Sequence, residues 1–239
     1  MSILKGRTAV ITGASSGIGE ACAAEFVRKG ANVVLAARRQ ERLDALVGKL
    51  EGNALAVVTD VTDERDIERL FTSAVERFGS VDVLINNAGI AENTPVAETS
   101  LEHWRNVIDT NLTSALLGAK HAWPIFLKAG HGRIVNIGSI SAKVPRTDCP
   151  SYTASKFGLQ GLTHALAVDG RDHNIAVSIF HPGIVATEIM PGSVKLPDNF
   201  AATPEEIAEI IVHMCDLPDH LNFYEGLVVQ NKLPFLGRG

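Results

Sequence analysis

The stretch "TAVITGASSGIGE", residues 8–20, runs from a β-branched segment through a glycine-rich turn into a helical pattern. Gly13, Gly17 and Gly19 fall where such a turn has three physical needs. They permit a tight reversal, close approach of the backbone to a pyrophosphate, and close packing of helix on strand. The helix beginning there offers free N–H groups and a positive dipole end to a phosphate. Ser15, Ser16 and Ile18 complete the turn. Glycine also marks plain turns, and Gly13-Ala14-Ser15-Ser16-Gly17 is also a literal G-x-S-x-G, the nucleophile elbow of a hydrolase. An elbow needs an oxyanion donor from an earlier loop of the sheet. Only twelve residues precede Gly13, enough for one strand. That rules against the hydrolase and leaves a dinucleotide cradle or a plain turn.

Outward from the turn, short apolar runs recur at 8–12, 32–36, 54–58, 81–85, 133–137, 175–180 and 226–229. Longer stretches with helical spacing separate them, such as Ile18, Cys22 and Phe26, or Ile67, Leu70, Phe71 and Val75. Nearly continuous apolar strands belong to a parallel sheet covered on both faces, and regular alternation of strand and helix predicts a doubly wound α/β fold. No low-complexity linker or repeat interrupts the pattern, so residues 1–239 read as one domain. The net charge of −5 offers no basic footprint for nucleic acid or an anionic membrane. No segment approaches the length of a membrane-spanning helix, and Lys5 and Arg7 interrupt the start. Cys22, Cys149 and Cys215 are odd in number and lack a CxxC, which predicts a reducing cytoplasm. The histidines include no HExxH, and "HMCD" (213–216) sits in an amphipathic pattern, so no metal is expected.

A second stretch, "PSYTASKFG" (150–158), sets Tyr152 and Lys156 four residues apart, on one face of a helix. A phenol is a poor base at neutral pH, and lowering its pKa by about three units requires about 4 kcal/mol. A unit charge about 5 Å away, at an effective dielectric near 20, supplies about 3 kcal/mol. One well-placed lysine thus nearly suffices to make the phenol a usable acid–base group, and the positive ring of an oxidised nicotinamide would add the rest.

Taken together, "TGASSGIG", "NNAG" (86–89), Asn111, Ser139 and the Tyr152/Lys156 pair resemble the short-chain dehydrogenase/reductase family. The resemblance runs from the first strand to about residue 190 and loosens toward the C-terminus. It implies a Rossmann-type parallel sheet of about seven strands, a nicotinamide cofactor and oxidoreduction of an alcohol or carbonyl. By the same matching, Tyr152 is the proton donor or acceptor, and Lys156 also bonds the nicotinamide ribose. Ser139 holds the substrate oxygen, in preference to nearby Ser141, and Asn111 belongs to a proton relay behind the lysine. Asp60 and Val61 match the segment at the adenine, and Asn87, Ala88 and Gly89 the floor of the cofactor cleft. Ile137 lies beside the site. Pro182, Gly183 and Ile184 match a segment near the nicotinamide, with Thr187 near its carboxamide. Cys149 reads as an ordinary loop thiol.

The second strand ends "VVLAARRQ". Ala37 stands where an NAD-specific chain carries an acid, and Arg38 and Arg39 follow, suited to a 2′-phosphate. NADP is therefore expected, with NAD a weaker alternative; Ser16 stands where some NADP-dependent relatives have a second basic residue. The substrate, a small carbonyl or alcohol, is not encoded in a motif. Residues 188–203 are expected to form a lid, with Met190, Val194, Leu196 and Phe200 as apolar walls. Lys143 and Arg146 precede Tyr152 and are candidates for meeting an anion or simply solvent. The chain lacks the V-[DN]-G-G ending of acyl-carrier-protein reductases, which counts against 3-oxoacyl reduction. Its end is closer to the serine and allo-threonine dehydrogenase branch. In this family, segments like 101–128 and 152–172 often pair subunits, so a homodimer or homotetramer is expected, and Pro124 is expected to kink or end the first. The reading of a different class is a non-catalytic dinucleotide-binding sensor or scaffold. Asn111, Ser139, Tyr152 and Lys156 favour the enzyme, since a pure binder needs no phenol acid.

Overall fold

The computed structural model describes residues 2–50, 53–189 and 200–234. Its strands are β1 (Thr8–Thr12), β2 (Asn32–Ala37), β3 (Ala54–Val58), β4 (Val83–Asn86), β5 (Gly132–Ile137), β6 (Ile175–Pro182) and β7 (Glu225–Val228). They form one sheet in the order β3-β2-β1-β4-β5-β6-β7, every neighbouring pair parallel. This is the Rossmann-type arrangement, and each strand run in the sequence has its counterpart. One run starts late: β4 begins at Val83, and Asp82 before it accepts from the Thr8 N–H through its carboxylate at 2.8 Å.

Helices α1 (Gly17–Arg28), α2 (Gln40–Lys49) and α7 (Pro204–Cys215) cover one face, where Phe26, Leu43 and Ile211 pack on Ile11 and Leu35. The opposite face holds α3 (Glu64–Phe78), α4 (Leu101–Ile108), α5 (Ser114–Ala129) and α6 (Pro150–Gly170). There Leu70, Phe71 and Phe126 cover Val10, Leu84 and Ile134. Burial on both faces explains why β1, β5 and β6 are buried at every residue. The helix limits follow local chemistry. Asp63 caps α3 through the Arg65 N–H, and Gly79 ends it at φ 84°. Thr203 and Glu206 form a capping box at α7, with Pro204 in its first turn.

Pro124 does not end α5, which runs on to Ala129. The ring removes the hydrogen bond to the carbonyl of Lys120, and Lys120 lies on the exposed side of the helix. Between α4 and α5, residues Asp109–Thr113 wind as a single π-helical segment. Such an insertion turns a helix face locally and is frequent at functional sites.

The order of strand addition reverses at β1: β2 and β3 extend the sheet on one side, and β4 to β7 extend it on the other. In an open α/β sheet ligands bind at the carboxyl ends of the strands, at such a switch point.

Candidate active site

At the end of β1 the backbone turns through Gly13 (φ 66°) and Gly17 (φ 56°), where a side chain would be strained. A Cβ on Gly13 would also lie 2.9 Å from the Cα of Ala88. Thr12 stitches this turn to the end of β4: its hydroxyl oxygen accepts from the Asn87 and Ala88 N–H groups at 3.0 and 3.1 Å. The Asn87 amide donates to the carbonyls of Thr12 and Gly13. Gly89 lies beside Lys156, its open side 3.8 Å from Nζ. The Ser16 side chain caps none of the leading N–H groups of α1. The turn is thus tied firmly to the end of β4, and the Ser15 hydroxyl within it is held by an arginine.

That arginine is Arg39. Its guanidinium donates to Ser15 Oγ at 2.9 and 3.1 Å and to Ser16 Oγ at 2.9 Å. It also bonds the Glu188 carboxylate at 3.0 Å, and Arg42 bonds the other oxygen at 2.6 Å. The two guanidiniums hold Glu188 below the usual carboxylate range, Arg42 most strongly. Arg38 is exposed and is not brought to the turn. Sequence reasoning missed Arg42, although its place one turn after Arg39 on α2 was the available signal. Asp60, at the end of the loop after β3, accepts from the Thr62 N–H and hydroxyl, and Val61 is buried beside it.

The remaining predicted residues meet at the ends of β5 and β6. Ser139 follows β5, and its hydroxyl accepts from the Ser141 N–H at 3.0 Å, so Ser141 supports Ser139 rather than solvating a loop. His181, wholly buried, sets its Nδ1 against both backbone groups of Ser139, 3.2 Å from N and 2.9 Å from O. Burial, with Lys143 nearby, pushes this imidazole down to about 4, so the ring is neutral at physiological pH. Tyr152 lies in the first turn of α6. Lys156 is buried on the same face, 5.7 Å from the Tyr152 ring centroid, and donates to the Ile137 carbonyl at 2.8 Å. Asn111, carried inward by the π-helical segment, clamps both backbone groups of Ile90 and donates to Ser155 Oγ at 3.1 Å. Ser155 in turn donates to the Tyr152 carbonyl at 2.7 Å.

The electrostatics correct one expectation. The Tyr152 phenol is raised, because burial outweighs the Ser139 hydrogen bond and the positive charge of Arg146. Lys156 is itself pushed down to about 8 by burial. Its buried charge costs at most about 3 kcal/mol at neutral pH. Between about pH 8 and 10.5 the unfolded chain holds a proton here that the folded chain has lost, so this residue adds stability as pH rises through that window. Denaturant titrations of the cofactor-free chain should show that rise, and Lys156→Met should lose it while being no less stable at pH 7. A variant with the parent's pH dependence would place Lys156 in solvent.

The segment after β6 closes the far side. Gln230 holds both backbone groups of Ile184, at 3.1 and 2.6 Å, and Gly183 N–H bonds the Val228 carbonyl at 2.7 Å. Thr187 reaches back over the glycine turn, its Cγ2 2.9 Å from where a Gly17 Cβ would be. Pro182 ends β6. Of the expected lid, residues 190–199, with Met190, Val194 and Leu196, lie outside the described residues. Cys149, in the loop just before α6, is buried, its thiol 2.8 Å from Asn93 Oδ1. Among the described residues no cluster of metal-ligating side chains occurs and no helix is long and apolar enough to cross a membrane.

The model of the family described as short chain dehydrogenase matches residues 7–195. An uncharacterized oxidoreductase of Listeria innocua is 32% identical over 246 residues, covering 97% of this chain and 99% of its own. One from Staphylococcus aureus is 33% identical over 226 residues, covering 94% and 97%. Among solved structures, an alcohol dehydrogenase of Thermococcus sibiricus complexed with 5-hydroxy-NADP superposes with a TM-score of 0.87 at 26% identity, covering 94% of this chain and 97% of its own. A 3-ketoacyl-(acyl-carrier-protein) reductase of Brucella melitensis complexed with NADH superposes with a TM-score of 0.90 at 28% identity, covering 96% and 99%.

Proposed function

Because this chain belongs to the short-chain dehydrogenase family, an oxidoreductase family that binds NAD(P), we propose that it is NADP-preferring and that Tyr152 is its acid–base group. The observation that carries this reading is the meeting of Ser139, Tyr152, Lys156 and Asn111 beside the glycine cradle, at the strand ends of the switch point. Bound NADP would supply the hydride chemistry at the carbon of a secondary alcohol or carbonyl. Gly13, Gly17 and Gly19, with Ser15, Ser16 and Ile18, would hold the pyrophosphate. Asp60 and Val61 would meet the adenine, and Asn87, Ala88, Gly89 and Ile137 would form the floor. Pro182, Gly183, Ile184 and Thr187 would border the nicotinamide. Ser139 donates a hydrogen bond to the substrate oxygen. Tyr152 gives that oxygen a proton in reduction and removes it in oxidation. Lys156 orients the ribose and steadies the phenolate.

The preference for NADP rests on Glu188. Two guanidiniums close on one carboxylate next to the Ser15–Ser16 hydroxyls, and this carboxylate is a stand-in for the anion that the 2′-phosphate would supply. Arg39→Ala should weaken NADP binding about 10- to 150-fold and leave NAD little changed, since one charge-assisted bond is worth about 1.5–3 kcal/mol. Glu188→Gln should tighten NADP, because the competing carboxylate is removed. Catalytic efficiencies with both cofactors check this; a parent that favours NAD, or an Arg39→Ala variant with unchanged discrimination, contradicts it.

Exposed Leu116 and Leu127 on α5, with Phe157 and Val168 on α6, support pairing into a homodimer or homotetramer. The function itself is tested by loss of NADPH absorbance with a panel of ketones, aldehydes and sugars. Tight NADPH binding with no turnover across the panel would favour the sensor or scaffold instead.

A further inference from the structure

Beside Tyr152 lies a second cation. The Arg146 guanidinium sits 5.2 Å from the Tyr152 ring centroid. It hangs from the segment between β5 and α6, fixed to the segment after β4 at several points. Arg146 Nη2 reaches Cys149 Sγ at 3.3 Å and Asn93 Oδ1 at 3.4 Å, and the Thr94 N–H donates to the Asp148 carbonyl at 2.7 Å. Its Nε is buried and bonded to nothing. Among the described residues, no carboxylate lies within ion-pair distance of Arg146.

Its surroundings make that isolation specific. Lys143, the other candidate cation of this segment, is neutralised by Glu225. Glu92, next to Asn93, is occupied by His103 at 3.0 Å. The buried Arg133 is satisfied by the carbonyls of Met214, Leu217, Pro218 and Leu221. Arg7 pairs with Asp219 at 2.7 Å. A half-buried guanidinium held in place with unspent donors and no counter-ion is costly to keep. It is also suited to a planar, bidentate anion.

We propose that Arg146 anchors a carboxylate on the substrate, so that the enzyme acts on short hydroxy acids and the corresponding oxo acids. The proposal rests on the dehydrogenase reading and gives that site a substrate class. The guanidinium lies 5.2 Å from the centroid of the reacting phenol's ring, so a carboxylate that it holds would sit close to the carbon that exchanges hydride, as in a short acid. In oxidation, the C–H hydride passes to NADP and the O–H proton to the Tyr152 phenolate. An oxo acid and NADPH result, and the carboxylate takes no part beyond binding.

Matched α- and β-hydroxy acids and their methyl esters, oxidised with NADP, test it. The parent should prefer the acid of at least one pair. Arg146→Gln should raise KM for that acid about 10- to 150-fold, the loss of one charge-assisted anchor, while KM for the ester changes far less. Arg146→Lys should recover part of the loss. Melting temperature and NADPH affinity, both at parent values, show that the variants fold. A parent that takes ester and acid equally, or an Arg146→Gln variant that slows both alike with its alkaline limb displaced, overturns the anchor; the second outcome would make Arg146 a tuner of the phenol. Tyr152-dependent turnover of neutral alcohols alone would remove the anchor and leave the dehydrogenase intact. Inactivity on every pair and every neutral alcohol would remove both.

Discussion

Tyr152→Phe should lower turnover about 10²- to 10⁴-fold, the range over which a positioned acid–base group contributes, while NADPH affinity stays within a few-fold. The substitution removes one hydroxyl and nothing else. The ring, which packs against Arg146 and Lys156 at 5.2 and 5.7 Å, is retained, and so is the carbonyl that Ser155 holds. Lys156 keeps its bond to Ile137, and the glycine cradle is untouched. Steady-state rates and a fluorescence titration with NADPH separate the two effects. Turnover near the parent's on any accepted substrate would remove Tyr152 from the chemistry.

Gly19→Ala should damage the protein through geometry rather than chemistry. An added Cβ would overlap the Gly13 carbonyl oxygen and lie 2.6 Å from Asn87 Nδ2. Neither neighbour can retreat, because Asn87 is bonded to the Thr12 and Gly13 carbonyls at 3.0 and 3.2 Å. Helix α1 must lift from the turn, at about 1–3 kcal/mol of overpacking. The donors that the cradle presents then move apart, and NADP affinity should fall about tenfold or more. Gly48→Ala is the control: nothing lies within 4 Å of its added Cβ, and an alanine inside α2 should be neutral or stabilising by about 0.5–1 kcal/mol. Melting temperatures and NADPH titrations read both. Parent-like binding by Gly19→Ala would mean that the turn does not hold the cofactor.

The sheet was legible because its strands are buried on both faces and interrupt helical patterns with short apolar runs. The gathering of Asn111, Ser139, Tyr152 and Lys156 was legible by resemblance, since the motifs keep their order along the chain. What stayed hidden depends on distant partners. Arg38 and Arg39 are chemically equal in the sequence, and only the twist at the end of β2 decides that Arg39 meets Ser15. Its second partner, Glu188, is 149 residues away. Thr12 organises Asn87 across 75 residues, and Gln230 fixes Ile184 across 46. A buried polar chain from Asn86 through Asn136 to Thr163 ties β4, β5 and α6 in the same way. The π-helical segment that aims Asn111 has no composition signal at all. The burial that raises the Tyr152 phenol was not legible either, because no motif reports it.

The chain has only two tyrosines, so the central claim is open to direct titration. In Tyr224→Phe, Tyr152 is the one remaining phenol, and its ionisation can be followed by ultraviolet difference absorbance. Without cofactor it should ionise above the ordinary value of about 10, as burial dictates. With oxidised NADP bound, the positive ring and Lys156 should together bring it down toward neutrality, and Lys156→Met should blunt that fall. A phenol that titrates at the same pH with and without NADP would contradict the account of Tyr152 as the acid–base group.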